Sequence, residues 1–226
     1  MYKVISDINQ QSEEWFRLKW GKVGGTTLSK IMTKIDKPVN ECAEFYEILS
    51  QHIEAFELDD DSYISNDMQR GNDLEPVACE EFGNAFKFEL REVGLIVSSD
   101  LNLSVCSPDR LIIKNNKIIG VLESKCPARK IHCNYINNNF ELSESYLFQI
   151  INYFVVIDDI EFVYIISYRP ENKITSLYYE LITLNSIFTF NKKQYKVSEL
   201  VSIAKKRLIE LDNSVKSYIY NLTNNF

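Results

Sequence analysis

Asp109, Glu123 and Lys125 are the residues whose types and spacing could do chemistry. Glu123 and Lys125 stand two apart near the end of an apolar run, so in a strand they share a face while Ser124 points the other way. Ser107-Pro108-Asp109 opens the preceding run, and a turn at Asn115-Asn116 folds the two runs into a hairpin that could bring Asp109 alongside. Two carboxylates converging with one ammonium suit phosphodiester hydrolysis. Carboxylate oxygens bind Mg²⁺, a hard cation that polarises a phosphate and lowers the pKa of an attacking water. The lysine can orient that water and offset charge developing on the phosphoryl oxygens. Taken alone, an E-x-K pair is usually a solvated ion pair and a Pro-Asp a turn. Here Val121 and Leu122 precede the glutamate and Cys126-Pro127 follows the lysine, so the charges end a strand expected to be buried. Buried charges need a reason.

Two further groups attract attention. Glu75, within Arg70-Gly71-Asn72-Asp73-Leu74-Glu75-Pro76, is a third candidate carboxylate, expected at a helix start, where the helix dipole alone would favour an acid. Gly24 and Gly25 precede a helix expected to begin with a hydroxyl cap near Thr26 or Thr27, and glycines let the backbone pass close to an anion. A terminal phosphate fits such a pocket, with Lys19 supplying charge and Thr26 a hydroxyl; a plain helix–turn–helix with Lys19 in solvent accounts for the same run.

The elements that must position these residues are read from periodicity. Ser12 to Lys19 reads as a short helix with Trp15 and Leu18 inward, broken by Gly21 to Gly25, with further helices near 40–57 and 73–86. The middle changes period. Arg91–Ser98, Leu103–Cys106, Arg110–Lys114 and Lys117–Lys125 read as strands and form the sheet core. After a loop through Asn137-Asn138-Asn139, Ser143 caps a helix carrying Leu147, Ile150, Ile151 and Phe154. Phe162–Tyr168 and Ile174–Leu181 return to the sheet, and an amphipathic helix from Leu200 to Ile219 closes the chain.

Composition bounds the class. At 226 residues and 45% hydrophobic content, with no linker or repeat, the chain is expected to form a single domain over 1–226. No apolar run approaches the ~18 residues of a membrane span, and the N-terminus lacks a signal-peptide pattern, so a cytoplasmic protein without a membrane partner is expected. Five cysteines without a C-x-x-C pair predict reduced, mostly buried thiols. His52 and His132 sit in no nucleophile motif and are expected at the surface or on helices. The net charge of -7 is uneven: residues 1–37 hold seven Lys or Arg against four acids, residues 41–81 one Arg against thirteen. The basic segment could line a DNA channel while the acidic one faces solvent or supports metal binding; a plain solubility role fits equally.

Five segments together give a resemblance. Gln11-Ser12-Glu13-Glu14-Trp15 with Leu18 and Gly21, Arg70-Gly71 with Glu75, Ser107-Pro108-Asp109, Leu122-Glu123-Ser124-Lys125-Cys126-Pro127, and Tyr146-Leu147-Phe148-Gln149 occur in the order found in the lambda-exonuclease-like or YqaJ-type viral recombinases. The chain resembles that branch of the PD-(D/E)XK nucleases. The resemblance implies an α/β, restriction-endonuclease-like core, a central mixed β-sheet flanked by helices. It implies 5′-to-3′ digestion of one strand of linear double-stranded DNA, leaving a 3′ tail for recombination. A homotrimer, a single-strand annealing partner and a phage, viral or host-cytosol setting are implied as well. Carried over by residue, Asp109, Glu123 and the Ser124 carbonyl would bind Mg²⁺, with Mn²⁺ as substitute. Lys125 would be catalytic, Glu75 and Gln149 would support a second metal and the water, and Lys19 and Thr26 would hold the 5′-phosphate. Arg110 stands where the family usually has glycine and could contact phosphate; Lys19 replaces an arginine and Thr26 a serine. A metal-dependent endonuclease with the same core, or a catalytically idle DNA-binding module, remain alternatives.

Overall fold

The computed structural model describes residues 1–58 and 65–224, so part of the acidic stretch, Asp59 to Asp61, lies outside the described residues. In chain order these form β1 (Tyr2–Ile5), α1 (Glu13–Lys19), α2 (Gly25–Met32), a 3-10 turn (Val39–Glu41), α3 (Ala43–Ile53), α4 (Asn66–Phe86), β2 (Glu89–Arg91), β3 (Leu95–Ser98), β4 (Val105–Cys106), β5 (Arg110–Lys114) and β6 (Lys117–Lys125). Then come α5 (Arg129–Asn137), α6 (Glu144–Val156), β7 (Phe162–Tyr168), β8 (Leu177–Thr183), β9 (Ile187–Phe190), β10 (Lys193–Lys196) and α7 (Val197–Asn224).

The central sheet has the order β2-β5-β6-β7-β8, antiparallel throughout except for the β6–β7 pair. It is therefore mixed, and α5 and α6 form the crossover that a parallel pair requires. Alternation along the strands decides which helix covers which face. Leu111, Ile113, Val121, Val163 and Ile165 pack with α6 and α7, whereas Ile112, Leu122, Ile166 and Tyr168 pack with Ala78, Cys79 and Phe82 of α4. Glu123 and Lys125 share the parity of Val121, so they continue the face that meets α6. Two smaller sheets, β1-β3-β4 and the β9–β10 hairpin, flank this core.

Several expectations are met. Asn115 and Asn116 turn the β5–β6 hairpin with φ of 52° and 59°, a pair that asparagine tolerates. The Ser12 and Ser143 side chains cap α1 and α6 by accepting from the N–H groups of Trp15 and Tyr146.

Others need correction. The strand expected over Arg91–Ser98 splits between two sheets at Gly94, where a Cβ would lie 2.4 Å from Ile8. The hydroxyl cap expected at Thr26 is absent: α2 begins at Gly25, with Gly24 as its cap and no side-chain bond. α4 starts at Asn66 rather than near 73, so Glu75 lies well inside it and the helix-start reading fails. Pro76 is also inside α4, although proline usually marks a first turn. Leu18 is exposed rather than inward. His132 is on a helix, α5, as expected, but fully buried there, bonded to the Ser167 hydroxyl and the Thr175 carbonyl at 2.7 Å each, a structural tie between α5 and β7. The five cysteines are free and all but Cys133 are buried, which meets the expectation of mostly buried thiols.

Candidate active site

Strand parity carries Glu123 to the α6 face at the end of β6, where it is 2% exposed. A bare carboxylate at that depth would cost several kcal/mol, so its partners matter. One oxygen accepts from Lys125 Nζ at 2.5 Å and the other from the Tyr153 hydroxyl of α6. Lys125 also donates to Gln149 Oε1 at 3.2 Å, and Gln149 Nε2 donates to the Tyr153 hydroxyl at 3.3 Å. Glu123, Lys125, Gln149 and Tyr153 thus form a closed ring of hydrogen bonds between β6 and α6. The Tyr146 ring lies 4.5 Å from Lys125 Nζ and adds a cation–π contact.

Asp109, just before β5, accepts from the Ser124 N–H at 2.6 Å. That bond fastens the start of β5 to the end of β6 and sets two carboxylates on either side of one backbone segment. Burial pushes the Asp109 carboxyl well above its ordinary range, and the negative charges of Glu123 and Glu75 push it further. Lys125 is shifted the other way: burial lowers its pKa, but Glu123 and Asp109 outweigh burial and leave it raised, so it stays protonated. Tyr153 is held neutral by burial and by the same two acids.

One cavity of about 860 Å³ gathers most of the residues singled out in the sequence. Asp109, Glu123, Ser124, Lys125, Glu75 and Gln149 line it, and so do Lys19, Gly24, Gly25 and Thr26. Arg110 does not. Its guanidinium is taken up by Glu75 at 3.3 Å and Glu92 at 2.7 Å, beside the cavity instead of in it. Lys19 Nζ lies 3.6 Å from the centroid of the Trp15 ring, and burial lowers its pKa to about 8. Trp15 is itself fixed by donating from Nε1 to the Gly94 carbonyl and the Ser107 hydroxyl. Gly25 has a packing role: a Cβ there would lie 2.9 Å from the Gln149 Cα, so only glycine lets α2 meet α6 this closely.

The donor set can be tested against a metal ion. Asp109, Glu123 and the neighbouring Ser124 backbone offer oxygen only, and the accumulated negative charge lacks full compensation from Lys125. Hard divalent cations suit such a set. Among the described residues no three His, Cys, Asp or Glu side chains converge into a ready-made cage, so backbone or water oxygens would have to complete the coordination. Sequence reading missed Tyr153 as a site residue. The available signal was helical spacing, since Tyr146, Gln149 and Tyr153 fall at i, i+3 and i+7 on one stripe of α6.

Residues 14–158 match the family model of the YqaJ-like viral recombinase domain. The chain belongs to this family. Its fold is that of the alkaline exonuclease LHK-Exo from Laribacter hongkongensis, restriction-endonuclease-like, at a TM-score of 0.71 and 21% identity, covering 95% of this chain and 100% of that one. The same exonuclease in complex with dAMP matches at a TM-score of 0.70 with the same identity and coverage. A phage-related exonuclease from Haemophilus somnus 129PT matches at 0.55 and 14% identity, over 89% of this chain and 96% of that one. No curated protein sequence matches significantly. The family match spans the cavity-lining residues from Trp15 to Tyr153, and the solved structures extend the shared fold over nearly the whole chain.

Proposed function

We propose that this YqaJ-family chain is a divalent-metal-dependent deoxyribonuclease that degrades one strand of linear duplex DNA from its 5′ end. The observation that carries the reading is the buried junction of Asp109, Glu123 and Lys125 on the floor of an open cavity. Structural likeness to two exonucleases, one of them seen with a nucleotide, supports it. Asp109, Glu123 and the Ser124 carbonyl would hold Mg²⁺, or Mn²⁺ in its place, which when bound supplies Lewis acidity toward a phosphate oxygen and a more acidic water.

This chain's own residues do the rest. Lys125, whose pKa its neighbouring acids raise, donates to the phosphoryl oxygens and holds the water. Gln149 and Tyr153 keep Lys125 and Glu123 in place through their hydrogen-bond ring. Hydrolysis consumes one water: its oxygen bonds to phosphorus, the P–O3′ bond breaks, and the departing 3′ oxygen takes a proton. The remaining strand then begins with a 5′-phosphate, so a phosphate pocket in the same cavity would receive each new terminus. Lys19, Thr26 and the uncapped N–H groups at the start of α2 are assigned to that pocket.

The test is digestion of linear and closed circular duplex with Mg²⁺, products resolved by strand and by end. Loss of nucleotides from the 5′ ends of linear duplex only is expected. Cleavage of closed circles would replace this reading with an endonuclease, and binding without cleavage would leave only a DNA-binding module.

A further inference from the structure

Tyr146 lines the cavity and lies against Lys125, yet the proposed hydrolysis gives it no part. It stands in the first turn of α6, on the stripe that carries Gln149 and Tyr153, and its half-buried side chain packs against the main core. The Ser143 cap accepts from its N–H and fixes the turn on which it sits. Lys125 Nζ stands over its ring, 4.5 Å from the centroid.

The partners of Lys125 differ in what a cation at Glu123 does to them. An ammonium has three N–H donors and no acceptor. Lys125 gives one to Glu123 Oε1 at 2.5 Å and one to Gln149 Oε1 at 3.2 Å, and faces the Tyr146 ring as well. Glu123 is also a carboxylate assigned to the divalent ion, and charge that it shares with that ion no longer holds the lysine, while the two cations repel. Gln149 and Tyr146 are neutral. A ring face offers no oxygen lone pair to a hard cation, so Tyr146 does not compete for the ion. Its negative face still attracts the ammonium, and more strongly where water is excluded. The Lys125 side chain is only 18% exposed.

We infer that Tyr146 is a positioning residue for Lys125: its ring face, with the Gln149 amide, keeps the ammonium on the cavity floor when Glu123 is engaged by the metal, and leaves one N–H free for a phosphoryl oxygen. The inference rests on the proposed nuclease function and deepens it. The ring face, rather than the hydroxyl, is the working part of this tyrosine.

Phenylalanine carrying no, one, two or three ring fluorines is placed at position 146 of the full-length chain by nonsense suppression. Fluorine changes the size of the ring little and strips electron density from its face, so a packing role and a cation–π role give different results. Tyr146→Leu is expected to lower the single-turnover rate of nucleotide release from linear duplex in Mg²⁺ roughly tenfold, with DNA affinity kept, and Tyr146→Phe to restore it. Each fluorine added to that phenylalanine lowers the rate again in even steps. In the metal-free chain the ε-methylene protons of Lys125, assigned by their loss in Lys125→Arg, should resonate upfield under the ring in wild type and Tyr146→Phe and return to the ordinary lysine position in Tyr146→Leu. Fluorinated chains as fast as Tyr146→Phe, or an ordinary Lys125 resonance in wild type, would overturn the inference and leave the nuclease reading intact. An upfield resonance in a wild type that releases no nucleotide would overturn the nuclease reading, and with it the part of this contact in turnover.

Discussion

Asp109 and Glu123 are neighbours held apart by one backbone segment, and the physics of that arrangement sets what substitution does. The Asp109 carboxyl is raised by burial and by adjacent acids, so folding favours its protonated form. Its contribution is complete at pH below the unfolded value and is lost as pH rises through the raised folded value. Asp109→Asn should therefore abolish metal-dependent nucleotide release yet flatten that decline, leaving the metal-free protein at least as stable at neutral pH. Urea unfolding as a function of pH checks this; a variant less stable than wild type at neutral pH contradicts it. Tyr153→Phe removes a buried donor from Glu123 and an acceptor from Gln149. A loss of about 1–3 kcal/mol is expected, the usual consequence of leaving a buried charged group short of a partner. An unchanged urea midpoint would mean that the hydroxyl is not part of the ring. The acid–acid–lysine set was legible because its residue types are unusual at the end of an apolar strand. Tyr153 was not, because a tyrosine among Ile, Asn and Phe on α6 reads as ordinary core.

At the scale of elements, the close approach of α2 to α6 carries the site. Gly25 meets the Gln149 backbone, and neither helix backbone can rotate out of the way of an added methyl. Gly25→Ala is expected to cost about 1–3 kcal/mol through overpacking and to draw Gln149 off Lys125, lowering kcat. Gly24→Ala faces only the end of the Lys19 side chain at 3.9 Å and should melt like wild type. Thermal unfolding of the pair decides; equal melting temperatures for Gly25→Ala and wild type would remove the packing argument. The glycine pair was visible in the sequence, but its physical reason was not, since contact between α2 and α6 joins residues far apart in the chain. Local signals explain the other differences too. α5 buries little besides His132 and Tyr135, so its apolar stripe was too thin to register. The β9–β10 hairpin turns at Asn191-Lys192, both with positive φ, but lysine gives no turn signal there. The helix read over 73–86 in fact begins at Asn66.

For the molecule as a whole, the two lysines that line the cavity are shifted in opposite directions. The acids beside Lys125 raise its pKa, while burial brings Lys19 down to about 8. For Lys19 the folded state resists charging, so its destabilising effect is full below about pH 8 and is relieved as pH rises toward its unfolded value. Its power to hold a phosphate runs the opposite way. Preference for 5′-phosphorylated over 5′-hydroxyl linear duplex should fall as pH rises through about 8, and Lys19→Met should flatten that dependence. A preference that is constant with pH in wild type would put the phosphate pocket elsewhere. The join of β5 to β6 is set by periodicity and turn chemistry, whereas the sheet order and the shared cavity depend on tertiary packing that no local pattern encodes. Whether Asp109, Glu123 and Lys125 are a metal-dependent hydrolytic centre is tested most directly by nucleotide release from linear duplex DNA, comparing wild type with Glu123→Gln in Mg²⁺ and in EDTA. Release by wild type in Mg²⁺ alone is predicted, with none in EDTA and none from folded Glu123→Gln; release by Glu123→Gln at the wild-type rate would contradict the account.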